Sequence, residues 1–286
     1  MTALRQRIAE AFVAACRDEL QAPKPGNVHV FADGHRMTAA DFERSAVAAA
    51  VPLTASVSVG ARILGAVQAT FETVGTNTNL GIVLLCAPLA AAAEEALASY
   101  DLRRSLAGVL ARLDVEDAAL AFRAIARASP AGLGHAEHHD VFAPATVSLR
   151  EAMTEAAGRD RIAKQYVDDF TDVFEMGTTW LHAASVESSD RRMATLQVYL
   201  GFLAAFPDSH IVRKHGAAVA ERVRAHAAML RGGMASNIDD LLPEVMEWDA
   251  ALKQAGINPG TNADLTVATL FADRLHNILL AARKSD

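Results

Sequence analysis

Apolar residues recur at helical spacing almost from end to end of this chain. Leu4, Ile8, Ala11, Phe12 and Ala15 share one face of a segment from Leu4 to Leu20, the period of an amphipathic helix. Thr38 and Asp41 stand at capping-box spacing and predict a helix with Phe42, Ser45 and Ala49 on one side. Pro52 suits the first turn of a following helix, expected to run to about Thr73. Leu80 to Leu97 is apolar nearly all round, which marks a central, buried helix. Shorter patterns cover Leu102 to Leu113 and Val115 to Ala128, and Ser148 with Glu151 caps another helix. Long patterns then span Arg159 to Ser185, Asp190 to Ala205, Ile211 to Leu230 and Ala263 to Ala282. No stretch alternates as a strand does. The pattern predicts an all-α fold: a single-domain multi-helix bundle over 1–286, with polar site loops at helix ends.

Hydrophobic residues make up 51% of the chain but aromatic ones only 6%, so the core must be built from Ala, Leu and Val. Such small side chains favour helices and let them approach closely. Alanine-rich faces suit packing within one chain or across a two-fold axis, so a homodimer is one expected state. The net charge of −7 argues against a nucleic-acid partner, but a local group of cations can still hold a small anion. Cys16 and Cys86 lie in apolar patterns and build no disulfide framework, which fits a reducing compartment. The N-terminus lacks the apolar core of a secretion signal, and the run from Leu80 to Ala93 is short for a bilayer. A cytoplasmic protein without a membrane partner is expected.

The loops carry the candidate chemistry. Pro23-Lys24-Pro25-Gly26-Asn27-Val28-His29 ends the first helix, its prolines stiffening the chain and Gly26 permitting a bend. With Asp33-Gly34-His35-Arg36-Met37 it reads as a stiff loop of donors suited to an anion, or as an ordinary solvated turn. Asn77, Thr78 and Asn79 either cap the buried helix or orient a nucleotide, and free N–H groups at that end favour an anion. Asp208-Ser209-His210 with Arg213-Lys214-His215 reads as a phosphate site or a basic helix face. Asp264, at capping-box spacing from Thr261, is a cap carboxylate or a catalytic one. His135 and His139 have the i, i+4 spacing of metal ligands, but the run fits a surface loop better; Asp140 is a candidate ligand for Mg²⁺. There is no phosphate-binding P-loop, dinucleotide-binding glycine pattern or nucleophile elbow.

Together these loops say more. Pro23 through Val28, Gly34 to Met37, Thr76-Asn77-Thr78-Asn79-Leu80-Gly81 and Asn258-Pro259-Gly260-Thr261-Asn262-Ala263-Asp264-Leu265 resemble, in order and spacing, motifs of the triphosphoribosyl-dephospho-CoA synthase family. Arg159 to Tyr166, continuing through Phe174, resembles a subgroup of it. Asn79-Leu80 stands where the family usually has His-Lys, and Asn27 and His29 replace a Leu and an Asp.

The resemblance implies an all-helical, ATP-binding transferase of cofactor biosynthesis, with Mg²⁺ expected alongside ATP. It would join the triphosphoribosyl unit of ATP to a ribose hydroxyl of 3′-dephospho-CoA and release adenine. It implies Asp264, His29 and His35 as catalytic groups, with Asp264 stabilising an oxocarbenium-like ribose or acting as base. Lys24, Pro25, Gly26, Asn27, Arg36, Asn77, Thr78, Asn79, Gly81, His215, Gly260 and Asn262 are the implied binding residues. Two alternatives stay open: phosphoribosyl transfer, from ATP or a phosphoribosyl diphosphate, to another cofactor precursor such as a pterin-type one-carbon carrier, and a non-catalytic nucleotide-binding helical protein.

Overall fold

The computed structural model describes residues 2–130, 133–233 and 238–284. Among them are fourteen α-helices and no strand, only isolated bridges pairing His29 with Ala32 and Gly34 with Met37. The all-α expectation holds. α1 (Ala3–Gln21), α2 (Ala39–Leu53), α3 (Val59–Val74), α4 (Leu80–Glu95), α5 (Leu102–Ala111), α6 (Val115–Ala128), α7 (Leu149–Ala156) and α8 (Arg161–Val167) form the first part. α9 (Thr178–Glu187), α10 (Arg191–Ala205), α11 (Ser209–His215), α12 (Ala217–Gly232), α13 (Ile238–Gln254) and α14 (Gly260–Arg283) complete it.

α4 and α14 are the central pair. Leu80–Ala98, α4 with the 3₁₀ turn that follows it, and α14 are each long and apolar enough to cross a membrane, yet 72% of the first and 56% of the second are buried inside the protein, as core helices are. Ala87, Ala90, Ala92 and Ala93 leave almost no surface exposed on α4, and such small side chains let neighbouring helices close in. A main apolar cluster surrounds this pair, with Phe12 of α1 set edge-on to Phe271 of α14. A second cluster lies among α10, α11, α12 and α13. α10 joins the two, giving Val198 and Phe202 to the first and Tyr199 and Leu203 to the second.

Local signals placed several helix starts. The capping boxes at Thr38–Asp41 and Ser148–Glu151 both form. Four expectations need correction. Pro52 lies in the last turn of α2 rather than opening α3, which starts after Ser58, whose hydroxyl accepts from the Ala61 N–H. The long pattern from Arg159 breaks at Asp169 and Phe170, both at positive φ, and resumes as a π-helical stretch, Asp172–Gly177, ahead of α9. Gly216, at φ 86°, divides the Ile211–Leu230 pattern into α11 and α12. Residues 231–255, which the pattern reading passes over, contain α13. The irregular stretch from Ser129 to Thr146 is irregular where described; its Ala131 and Gly132 lie outside the described residues.

Candidate active site

A cleft of about 960 Å³ opens where the N-terminal ends of α4, α8, α11 and α14 meet the loop after α1. That volume is at the upper end for a small-molecule site. Of the residues singled out from the sequence, Asn27, His35, Arg36, Asn77, Thr78, Gly81, Gly260, Asp264 and Asp140 line it. Lys24, Pro25, Gly26, His29, Asn79, His215 and Asn262 do not.

The loop after α1 is a buried plug rather than a display of donors. Lys24 is fully buried, its ammonium 2.7 Å from Glu19 Oε1 and donating to the Val28 carbonyl at 2.6 Å and to Asn27 Oδ1 at 3.3 Å. Burial pulls the Lys24 pKa down and pushes that of Glu19 up, and their pairing opposes both shifts. All its donors face protein, so Lys24 has none for a phosphate. The Pro25 carbonyl accepts from the Tyr199 hydroxyl at 2.7 Å. Gly26 donates its N–H to Asp249 Oδ1 at 2.8 Å and sits at φ 79°, where a Cβ would come within 2.8 Å of Pro259 Cδ. His29, also fully buried, places Nε2 3.3 Å from Asp249 Oδ2. Burial lowers its pKa against the opposing pull of that carboxylate. Lys253 completes the clamp, donating to Asp249 Oδ2 and to the Ala32 carbonyl, each at 2.8 Å.

What the plug does is aim the next residues. His35 Nε2 contacts the Gly26 carbonyl at 2.8 Å, and His35 and Arg36 take consecutive left-handed conformations, φ 54° and 65°, where they line the cleft. Two successive non-glycine residues in that region store strain that the surrounding contacts must hold. Asn27 Nδ2 donates to Asn258 Oδ1 at 2.8 Å, tying the loop to the approach of α14.

At the head of α4 the asparagines exchange roles. Asn77, not Asn79, caps the helix, its Oδ1 accepting from the Leu80 N–H at 3.1 Å. Asn79 is buried outside the cleft with Nδ2 unpartnered, and Thr78 donates to the Ser45 hydroxyl at 2.6 Å. Gly81 then meets Asp264 face to face. A Cβ added at Gly81 would fall inside contact with Asp264 Oδ2, 2.5 Å from its Cγ and 2.7 Å from Ile162 Cδ1. The glycine is there because the carboxylate occupies the side-chain space.

Asp264 is no helix cap. α14 begins at Gly260, and the Thr261 hydroxyl accepts instead from the His210 N–H at 3.2 Å. Burial pushes the Asp264 carboxyl well above the usual range, reinforced by Asp208, Glu19 and Asp160 and opposed by Arg213. Asn262 is fully buried; its N–H donates to Asp208 Oδ2 at 2.9 Å and neither side-chain polar atom has a partner. Asp208 also accepts from the Ile211 N–H at 3.0 Å, so one buried carboxylate, its pKa raised to about 6 by burial, joins the starts of α11 and α14.

From the basic segment of α11 the cleft receives His210, Arg213 and Lys214, while His215 turns away to the Gly256 carbonyl at 3.0 Å. Burial, then Arg213 and Lys214, pull the His210 imidazole down to about 4, leaving it neutral at pH 7. Asp160 caps α8 through Oδ1 and lies 3.4 Å from Arg213 through Oδ2. Asp140 is committed to its own loop: it accepts from the Ala136 and Phe142 N–H groups at 2.8 Å and meets His135 Nδ1 at 3.1 Å. The segment holding His135 and His139 is not helical, so their i, i+4 spacing puts them on no common face. Among the described residues no group of three or more His, Cys, Asp or Glu could hold a metal ion.

A cleft with cations at one end, helix N-termini and a carboxyl whose pKa burial raises defines a class: an all-α enzyme site for a polyphosphate substrate. The comparisons make it particular. The CitG family of ATP:dephospho-CoA triphosphoribosyl transferases matches residues 5–282, and the chain belongs to that family. It is a transferase whose family substrates, ATP and dephospho-CoA, are small molecules. A crystal structure from Archaeoglobus fulgidus, provisionally named a triphosphoribosyl-dephospho-CoA synthase, is similar with a TM-score of 0.64 and 26% identity, covering 80% of this chain and 95% of that one. Among curated proteins none matches.

Proposed function

We propose that this cleft transfers the triphosphoribosyl unit of ATP to a ribose hydroxyl of 3′-dephospho-CoA through an acid–base pair of inverted pKa order. The observation that carries this reading is that one cleft wall holds both a carboxyl whose pKa burial raises, Asp264, and an imidazole whose pKa burial lowers to about 4, His210. Two groups pushed apart in this way divide the proton work between them. Asp264 gives its proton to the purine as the C1′–N bond breaks, so adenine leaves as a neutral base. The carboxylate left behind faces the oxocarbenium-like ribose and stabilises its charge. The acceptor hydroxyl attacks C1′ and passes its proton to His210. Exchange with solvent returns the pair to its starting state.

His35, Arg36, Arg213 and Lys214 receive the triphosphate. The dipoles of α4 and α14 add to the attraction. Asn77 and Thr78 border the nucleotide. Lys24, Pro25, Gly26 and His29 act indirectly, by seating the loop that carries His35 and Arg36. An ATP-using family calls for a divalent cation with its nucleotide; we take this to be Mg²⁺ entering on the triphosphate, which supplies ligands that the protein does not gather by itself. We read residues 1–286 as one cytoplasmic domain without nucleic-acid or membrane partners.

Incubating the protein with ATP, Mg²⁺ and dephospho-CoA should release adenine and a triphosphoribosylated product. Asp264→Asn should retain the fold and lose at least 1000-fold in turnover, on the order expected when acid catalysis and charge stabilisation are removed together. Wild-type turnover in the folded variant would refute the assignment.

A further inference from the structure

The cleft is chemically two-ended. At one end stand His35, Arg36, His210, Arg213 and Lys214, and at the join lie Gly81, Ile162 and Asp264. The other end is built by the last turns of α3 and α6, by α7 and by the segment 133–141, and its lining sets the apolar Phe71, Phe122, Ile125 and Met153 beside polar groups such as Arg127 and Asp140. Contacts hold the two ends to different parts of the fold. Arg127 of α6 lies over the Phe71 ring of α3, 5.3 Å from its centroid. At the cationic end His210 packs against Gly260, and Gly26 against Pro259.

The apolar surface formed by Phe71, Phe122, Ile125 and Met153 suits no triphosphate, because phosphate oxygens set against it would lose water without gaining partners. The donor's charge therefore belongs at the cationic end, and the volume leaves room for a second substrate. Resting on the transferase reading above, we propose that this apolar lobe binds the uncharged arm of the acceptor, in dephospho-CoA the pantetheine. The acceptor would lie with its diphosphate near the cleft-lining Arg159, which leads into α8, and its ribose hydroxyl turned toward the join.

The test pairs kinetics with a binding measurement that needs no turnover. Phe71 and Ile125 are only partly buried and pack on the edge of the main apolar cluster, so Phe71→Ala and Ile125→Glu disturb the core less than changes at its centre would. Each should raise the KM for dephospho-CoA about tenfold or more, equivalent to about 1.4 kcal/mol, and leave the KM for ATP within about twofold. In ligand-observed NMR, pantetheine alone should receive saturation from the wild-type protein, keep it under saturating ATP and lose it in Ile125→Glu. Circular dichroism checks the fold of each variant, and Phe71→Ala carries the readout should Ile125→Glu unfold. Displacement of pantetheine by ATP, displacement by adenosine, or a rise in the KM for ATP instead would each overturn the proposal. Failure of the transferase reading looks different: no adenine is released with dephospho-CoA, while the NMR measurement still decides what the lobe binds.

Discussion

Gly81→Ala separates the chemistry of the cleft from the stability of the fold. The added methyl would sit 2.5 Å from Asp264 Cγ and 2.7 Å from Ile162 Cδ1, against about 3.4 Å for ordinary contact. The Asp264 carboxylate must therefore retreat by about 1 Å, and a misplacement of that size costs on the order of 100-fold in rate, or about 2.7 kcal/mol of barrier. The fold pays less. Gly81 is the second residue of α4, where alanine gains up to about 1 kcal/mol in helix propensity, offsetting part of the roughly 1–3 kcal/mol that overpacking costs. The expected variant melts close to wild type and releases adenine about 100-fold more slowly, measured by chromatography of ATP, Mg²⁺ and dephospho-CoA reactions. Gly158→Ala, where no atom lies within 4 Å of an added Cβ, is the control and should change neither quantity. Undiminished adenine release by Gly81→Ala would mean that the position of Asp264 does not matter to the reaction.

Lys24→Met should destabilise the protein by about 3–5 kcal/mol in denaturant titration, because Glu19 loses its partner inside the core. The double variant with Glu19→Leu should recover much of that loss; a fully stable Lys24→Met protein with a raised KM for ATP would restore Lys24 to phosphate binding. Asp249→Asn weakens the clamp on Gly26, His29 and Lys253 and should raise the KM for ATP several-fold with kcat little changed, whereas a fall in kcat alone would contradict a positioning role. For His210 the folded pKa of about 4 lies below the unfolded value of about 6.5, so the folded state resists protonation. Its contribution is present above pH 6.5 and lost as pH falls toward 4, a change of at most about 3 kcal/mol that partial exposure reduces. His210→Gln should therefore gain stability relative to wild type across that window, and a pH-independent difference would sink the argument. Asp208, raised to about 6, works with opposite sign and is common to both proteins.

Helix positions were legible where the determinants are local: apolar period, capping boxes and the continuous apolar run of α4 need only near neighbours. The site was legible as a set of loops but not as a set of side chains, because burial is decided by distant packing. Lys24 reads as a loop cation until Tyr199, Asp249 and Asn258 close over its loop, and those partners lie more than 170 residues away in sequence. His210 and His215 both belong to α11, and nothing local separates them: only packing sends His210 to the cleft and His215 to the Gly256 carbonyl. α13 could have been found. Ile238, Leu241, Val245, Trp248 and Leu252 keep helical spacing, and Asp249 with Lys253 is an i, i+4 pair.

Asp264 shows how a local signal can mislead and a second one correct it. Its spacing from Thr261 favours a cap, but a cap faces water and its pKa falls, whereas this carboxyl lies one turn inside a buried helix and its pKa rises. The correcting signal stood 183 residues earlier in the chain. A glycine at the head of an otherwise bulky apolar helix costs up to about 1 kcal/mol against alanine, and such a cost persists where something must come close. What comes close to Gly81 is the Asp264 carboxylate. The missing side chain on α4 and the raised pKa of the acid on α14 have one cause, the packing of a carboxyl against a helix backbone. Any substitution that opens that contact to solvent should therefore return the Asp264 pKa toward its ordinary value and weaken it as the acid at neutral pH.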